Sequence, residues 1–265
     1  MTVPTITELR NLIEDVNNLK IVNKSNTQKN KEFELIRHEI SNKLQMDLQA
    51  DDLENVIELL ERKIAELKNS PEYWNPLVYK KNAEENMMMV KETIDDIDFT
   101  EQKVMVCGRA VDVHPDFWPR FSTPTTNIDS NMYVIVDHDP GYKQYITRRG
   151  NYAICLIVHP AIPKKILELE GKIYWFSPDY MNYEIPKLSL GEIHRGNSGL
   201  TAINLASYLK AKFILLSGIR LSEKYEQFLL GKNLIFEQIT QRGSKIFSLD
   251  GAIAEKLSYL DWCKL

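Results

Sequence analysis

The chain has 265 residues, of which 43% are hydrophobic and 26% are charged, and its formal net charge is −4. These values are typical of a soluble globular protein with room for one large domain, or for one domain and a smaller companion. The sequence excludes a membrane span, because no apolar run approaches the ~20 residues that cross a bilayer. Residues 1–10 also lack the basic start and apolar stretch of a signal peptide. We therefore expect a cytoplasmic protein.

The charge is uneven along the chain. Residues 1–100 hold 13 Lys and Arg against 20 Asp and Glu, whereas residues 101–265 hold 20 against 17. The acidic first part argues against a nucleic-acid-binding arm, and the mildly basic second part suits a small anionic ligand. The three cysteines, Cys107, Cys155 and Cys263, are far apart in the sequence. We interpret the first two as reduced core residues, which fits a cytoplasmic setting.

The first hundred residues are predicted to be helical. Apolar residues recur at helical spacing in three stretches before Pro71, and a further helix is predicted over residues 82–95. We therefore interpret residues 1–99 as an all-α N-terminal region. Its apolar stripes could pack on one another, on the rest of the chain, on a second copy in a homo-oligomer, or on a protein partner.

From Lys103 onward, short apolar runs alternate with helical segments. The runs have the nearly continuous hydrophobicity of buried parallel strands; they cover residues 104–107, 132–136, 153–158, 173–176, 213–217 and 245–248. The helices predicted between them include residues 162–169, 200–209 and 234–242. This alternation predicts an α/β domain over residues 100–265, a Rossmann-like and mainly parallel sheet with helices on both faces.

In sheets of this kind the ligand binds beyond the carboxyl ends of the strands. The residues that follow the predicted strands are therefore the first candidates for a site. They include glycines, acids and a histidine: Gly108, Asp137, Asp139, His159 and Gly218. We expect Gly108, Asp137, His159, Ser198 and Gly218 to lie around one cleft.

A glycine-bearing loop, Arg195-Gly196-Asn197-Ser198-Gly199, precedes the helix predicted before the fifth strand. Free N–H groups at the start of a helix attract anions, and glycine lets a phosphate approach closely. Arg195 could bind the same phosphate. The alternative is a tight turn before a core helix, in which Asn197 or Ser198 only caps the helix.

Two acids and two histidines are candidates for the chemistry. Asp137 and Asp139 lie two residues apart, so on an extended strand end both carboxylates could bind one Mg²⁺ that carries phosphates. The alternative is an Asp-Pro-Gly turn in which Asp139 accepts backbone N–H groups, and we prefer it for Asp139 but not for Asp137. His159 and His194 are candidate general bases, because histidine titrates near neutral pH.

Several common sites are missing from the sequence. It contains no three-glycine dinucleotide fingerprint and no Walker-type phosphate loop. It also lacks the usual zinc-ligand spacings and the G-x-S-x-G motif of serine hydrolases.

Three segments resemble the superfamily that joins bacterial CMP-sialic-acid-dependent sialyltransferases, Maf-type flagellin glycosylation proteins and archaeal 6-hydroxymethylpterin diphosphokinases of the MptE type. The loop of residues 195–199 resembles the R-I-T-S-G loop that contacts the CMP part of the donor in the sialyltransferases, and Ser217-Gly218-Ile219 is similar to their S-G-I-D strand end. Val136-Asp137-His138-Asp139-Pro140 resembles the T-D-L-D-G turn of the pterin kinases. This last resemblance implies that Asp137 and Asp139 are metal or phosphate residues.

The chain also departs from these families. Their first strand is followed by G-x-G-P-S-L, where this chain has Gly108-Arg109-Ala110-Val111. The acid of S-G-I-D is Arg220 here, and the second acidic loop of the pterin kinases is missing. The resemblance covers roughly residues 103–250, so it implies the fold more directly than the activity.

The leading hypothesis is a transferase that uses a nucleotide-linked donor, specifically a sialyltransferase-like glycosyltransferase. The residues that would hold the nucleotide are Gly108, Arg195, Asn197, Ser198, Gly199 and Gly218. His159 or His194 would deprotonate the acceptor hydroxyl, and Arg195 would offset the charge of the leaving phosphate. Two alternatives stay open. One is a Mg²⁺-dependent pyrophosphokinase of the 6-hydroxymethylpterin type with Asp137 and Asp139 at the metal, and the other is a non-catalytic assembly protein that retains the fold.

Overall fold

A parallel sheet of nine strands runs through the part of the chain that the computed structural model describes, residues 76–111, 113–192, 195–219 and 226–265. The strands are β1 (Lys103–Cys107), β2 (Arg120–Ser122), β3 (Met132–Ile135), β4 (Asn151–Cys155), β5 (Lys172–Pro178), β6 (Lys187–Leu188), β9 (Phe213–Ser217), β10 (Lys245–Ser248) and β11 (Glu255–Lys256). Between β6 and β9, β7 (Gly191–Glu192) and β8 (Arg195–Gly196) form a separate antiparallel pair. The helices predicted before Pro71 lie outside the described residues.

Five α-helices accompany the strands in the described residues. They are α1 (Pro76–Met87), α2 (Ala161–Glu168), α3 (Ser198–Tyr208), α4 (Glu226–Gln241) and α5 (Tyr259–Lys264), and short 3-10 helices cover Ile94–Asp96, Pro124–Thr126 and Pro140–Tyr145. In the same residues, no helix combines the length and the apolar composition that crossing a membrane requires.

The order of the strands places a topological switch point at the centre of the sheet. The order is β11-β10-β9-β1-β2-β3-β4-β5-β6, and every neighbouring pair is parallel. The chain moves outward from β1 to β6, then returns and adds β9 on the opposite side of β1. Cys107 and Ser217, the last residues of β1 and β9, are paired in register. The predicted Rossmann-like, mainly parallel α/β fold is confirmed, and its ligand crevice is expected between these two strand ends.

Helix α3 is buried along almost its whole length. Residues 199–207 are all buried, because α3 contacts β1, β2 and β3 on one side and α4 on the other. Its one buried amide, Asn204, is bonded at both ends: its Nδ2 donates to the Ser189 carbonyl at 2.9 Å, and its Oδ1 accepts from Arg242 at 2.6 Å. A helix that exposes so few of its residues packs against neighbours on more than one side.

Helix α1 belongs to the same compact unit as the sheet, which runs from Pro76 to Leu265. The sequence predicts a helix over residues 82–95 and starts the α/β domain at residue 100, but the helix spans Pro76–Met87 and packs at the end of β4. After it, Thr93 forms a bridge to Trp175, and its N–H donates to the Asp96 carboxylate at 2.7 Å. These contacts hold residues 93–96 in a capped turn, so the helix does not continue to residue 95.

Candidate ligand site at the carboxyl edge of the sheet

Gly108 and Gly218 face each other where β1 and β9 end. The N–H of Gly108 donates to the Ser217 carbonyl at 2.8 Å, and the N–H of Ala110 donates to the Gly218 carbonyl at 3.0 Å. A Cβ placed at Gly108 would lie 2.5 Å from the Gly218 oxygen, and one at Gly218 would lie 2.6 Å from the Gly108 oxygen. Gly218 also has a φ of 66°, which L side chains rarely adopt. Close packing of the two backbones therefore accounts for both glycines.

The start of α3 adjoins both this switch point and the end of β3. Asn197 caps the helix, since its Oδ1 accepts from the N–H of Leu200 at 3.1 Å. The hydroxyl of Ser198 accepts from the N–H of Val136 at 3.2 Å, which places Ser198 beside the residue before Asp137. Asn197 therefore has the capping role that the sequence allowed, and Ser198 attaches the helix to the sheet.

The side chain of Ile219 occupies the space between the loop after β1 and the start of α3. Its Cδ1 lies 2.7 Å from a Cβ placed at Gly108 and 3.2 Å from one placed at Gly199. Ile219 is only 6% exposed. An atom in contact with the Cα of Gly108 would meet this methyl group, so close approach of a ligand to that glycine requires Ile219 to take another rotamer.

The other residues of the predicted phosphate loop are less fully described. The backbone of Arg195 lies in β8, opposite Glu192, and His194 lies outside the described residues. Thus the segment before α3 is a short hairpin strand where the sequence predicted a loop throughout.

Asp137 and Asp139 hold a turn after β3. An oxygen of Asp139, which is 2% exposed, accepts from the N–H of Gly141 at 2.8 Å, and Asp137 accepts from the N–H of Asp139 at 3.0 Å. The Asp-Pro-Gly turn preferred for Asp139 is confirmed. Within the described residues, His, Cys, Asp and Glu do not form a group of three that could surround a metal ion. The pair, of which Asp139 is buried and Asp137 half-buried, therefore suits backbone capping better than the open octahedral site that Mg²⁺ requires.

His159 caps the start of α2. Its Nδ1 accepts from the N–H of Ala161 at 3.1 Å, so the neutral ring carries its proton on Nε2. Burial lowers the pKa of His159, and the nearby charges of Glu85 and Asp139 oppose that shift only in part. In this tautomer Nε2 carries a proton and donates a hydrogen bond. His159 is therefore better suited to holding an oxygen atom of a ligand than to removing a proton from it.

His114 also lies at the switch point, although it does not directly follow a strand. Its Nδ1 lies 2.8 Å from the hydroxyl of Ser217, and its ring also hydrogen bonds with the backbone of Gly108. The loop after β1 therefore folds back over the ends of β1 and β9 and brings His114 to the switch point. His114 stands seven residues after the end of β1 (Cys107), too far along the chain for a rule about strand-end residues to find it.

We expect His114 to make the free energy of unfolding depend on pH. Burial and the charge of Arg120 lower its pKa below the ordinary 6.5, so on acidification the unfolded chain takes up the proton first. Stability is therefore lost as the pH falls through about 6.5 towards the folded-state pKa. Urea unfolding at pH ~7.5 and ~5.5 should show a smaller loss for His114→Gln than for the wild type. The same loss of stability in both proteins would contradict this assignment. His159→Gln should also lose less stability than the wild type, because the pKa of His159 is lowered as well.

The predicted site residues that the structure describes share one edge of the sheet but form two neighbourhoods. Gly108, Gly199 and Gly218 meet around Ile219 at the switch point. The second neighbourhood lies beyond β3 and β4, where Asp139 is close enough to His159 to influence its pKa. Ser198 and Val136 connect the two. Comparison of the chain with protein-family models, with curated proteins and with solved structures finds no match.

Proposed function

We propose that this chain is a transferase that takes a nucleotide-linked donor and performs glycosyl transfer. One observation carries the proposal: the N-terminus of α3 meets the ends of β1 and β9 at the switch point of a parallel sheet. This is where α/β folds bind nucleotides, because helix N–H groups and the crevice between diverging strands coincide there.

The proposed reaction moves a sugar from a phosphate oxygen to an acceptor hydroxyl. The acceptor oxygen bonds to the anomeric carbon, the bond from that carbon to the phosphate oxygen breaks, and the nucleotide leaves with the electron pair. The N–H groups of Ser198 and Gly199 and the side chain of Arg195 would stabilise the leaving phosphate. The acceptor proton passes to His194, the other histidine predicted from the sequence to be a general base, while the Nε2 proton of His159 positions the acceptor.

A non-catalytic binding protein is the second candidate. It is favoured by the position of Ile219, whose side chain lies against Gly108 where a phosphate would approach. The pyrophosphokinase alternative has no comparable support in the described residues, because Asp139 serves the turn after β3.

Ile219→Val is expected to tighten nucleotide binding about threefold to tenfold. The substitution removes Cδ1, the atom that lies against both Gly108 and Gly199. Opening the site then costs less, and the apparent affinity rises with the population of the open state. A thermal-shift screen of CMP, UDP, GDP and ATP, with and without Mg²⁺, would identify the best nucleotide, and calorimetric titration would measure its affinity.

Ile214→Val is the matched control, because Ile214 is a buried residue of β9. Both variants should lose about 0.5–1.5 kcal/mol of stability, but only Ile219→Val should change affinity. If no nucleotide binds to the wild type or to Ile219→Val, the transferase is refuted and the non-catalytic candidate stands.

A further inference from the structure

A cavity of about 520 Å³ lies between α1 and the segment that follows β5. Tyr79, Lys80 and Glu84 line it from α1, and Tyr180, Asn182 and Tyr183 line it from the segment after β5. It belongs to the carboxyl edge of the sheet but not to the switch point, which lies four strands away at β1. Its volume is in the range of small-molecule sites, which run from roughly 300 to 1,000 Å³.

Tyrosine rings supply much of the cavity wall. Tyr79 is fully buried behind the wall, where it packs edge-on against His138 with ring centroids 4.8 Å apart, so the rings that a ligand can reach are those of Tyr180 and Tyr183. Tyr180 and Tyr183 are half-buried, and burial raises the pKa of both hydroxyls, which therefore stay neutral and able to donate. Such rings present an apolar face to a ligand and a hydroxyl to its polar groups.

The polar groups of the cavity carry both signs of charge. Lys80 Nζ and Glu84 Oε1 lie 3.9 Å apart, and the two side chains are 70% and 59% exposed. The amide of Asn182 adds a donor and an acceptor. Because the ammonium and the carboxylate offset each other, the lining favours a neutral ligand that both donates and accepts hydrogen bonds.

We propose that this cavity binds a neutral sugar ring, with tyrosine faces against the ring C–H groups and with Lys80, Glu84 and Asn182 on its hydroxyls. A phosphate-bearing ligand would meet Glu84, and also the exposed Asp179 beside Tyr180. A nucleobase could stack on the same rings, but it lacks the several hydroxyls that this polar set can bind.

The position of the cavity makes it the acceptor site of the transferase, a role that rests on the function proposed above. Ser198 attaches the start of α3 to the end of β3, and the cavity borders the segment that follows β5, a strand two positions further along the sheet. Two strand spacings amount to about 10 Å. A sugar in the cavity can therefore extend towards a donor held at α3.

Saturation-transfer NMR on the full chain tests the cavity with the methyl glycosides of glucose, galactose and N-acetylglucosamine. We expect a signal for at least one glycoside, a loss of at least tenfold in affinity for Tyr183→Ala, and retention in Tyr183→Phe, which keeps the ring. Tyr208→Ala is the matched control, since Tyr208 is half-buried on α3 and does not line the cavity. Thermal unfolding of each variant verifies folding.

The outcomes separate the two proposals. The sugar site is refuted if no glycoside binds, if adenosine binds in their place, or if Tyr208→Ala lowers the affinity as much as Tyr183→Ala. Nucleotide titration of Tyr183→Ala should match the wild type. Sugar binding in a chain that binds no nucleotide would leave the cavity assignment in place and would refute the transferase and the acceptor role.

Discussion

Gly218→Ala is expected to lower the free energy of unfolding by roughly 2–5 kcal/mol. An alanine at a φ of 66° costs about 1–2 kcal/mol in the left-handed region. Its Cβ would also lie 2.6 Å from the Gly108 oxygen and 2.8 Å from Cγ2 of Val111. Relieving these contacts requires the ends of β1 and β9 to separate, at a cost of about 1–3 kcal/mol. Urea unfolding measures the sum.

Gly243→Ala isolates the first of these two costs. Gly243 has a φ of 81°, and a Cβ placed there would meet nothing within 4 Å. The variant should therefore lose only about 1–2 kcal/mol. If Gly218→Ala and Gly243→Ala lose the same amount, close packing at the switch point is not what requires glycine at residue 218.

The central strands were predictable because burial on both faces leaves a strong signal. The predicted runs 213–217 and 245–248 coincide with β9 and β10, and β1, β3, β4 and β5 differ from their predicted runs only at their ends. β2 was missed because Arg120-Phe121-Ser122 contains a single apolar residue. It is nevertheless buried, and it pairs in parallel with β1 on one side and with β3 on the other. Contacts with distant residues, rather than its own composition, make this segment a strand.

The sequence predicts the edge of the sheet on which the candidate residues lie. It does not predict the role of each residue at that edge. Strand ends placed Gly108 and Gly218 correctly, because all the strands of the sheet are parallel. The position of Ile219 against Gly108 depends on the direction of the chain after the last residue of β9. No pattern of apolar residues in the sequence indicates that direction. The roles of His114 and His159 likewise depend on single hydrogen bonds, to Ser217 and from Ala161. Such bonds are set by tertiary structure.

Asn86→Leu is expected to lower the free energy of unfolding by roughly 2–6 kcal/mol. Asn86 is fully buried, and its Nδ2 donates to the carbonyls of Leu156 and Val158, both at 2.8 Å. Leucine has a similar size but leaves both buried carbonyls unpaired, at about 1–3 kcal/mol each. Lys81→Leu, at an exposed position of the same helix, should change stability by less than about 0.5 kcal/mol. Equal losses in the two variants would contradict the assignment.

The same substitution should also weaken the sugar site, because α1 forms one wall of the cavity. Once the two Asn86 bonds are lost, the bond from Asn82 Nδ2 to the Ile157 carbonyl is left to attach α1 to the segment after β4, and α1 should exchange its amide hydrogens faster than β4 and β5 do. Hydrogen exchange followed by mass spectrometry would resolve the two regions. If amide exchange becomes equally faster in α1 and in the strands, Asn86 stabilises the whole compact unit and not α1 alone. Acceleration confined to α1, with glycoside binding lost, would show that this helix is attached to the sheet edge mainly through its buried amides and that the cavity depends on that attachment.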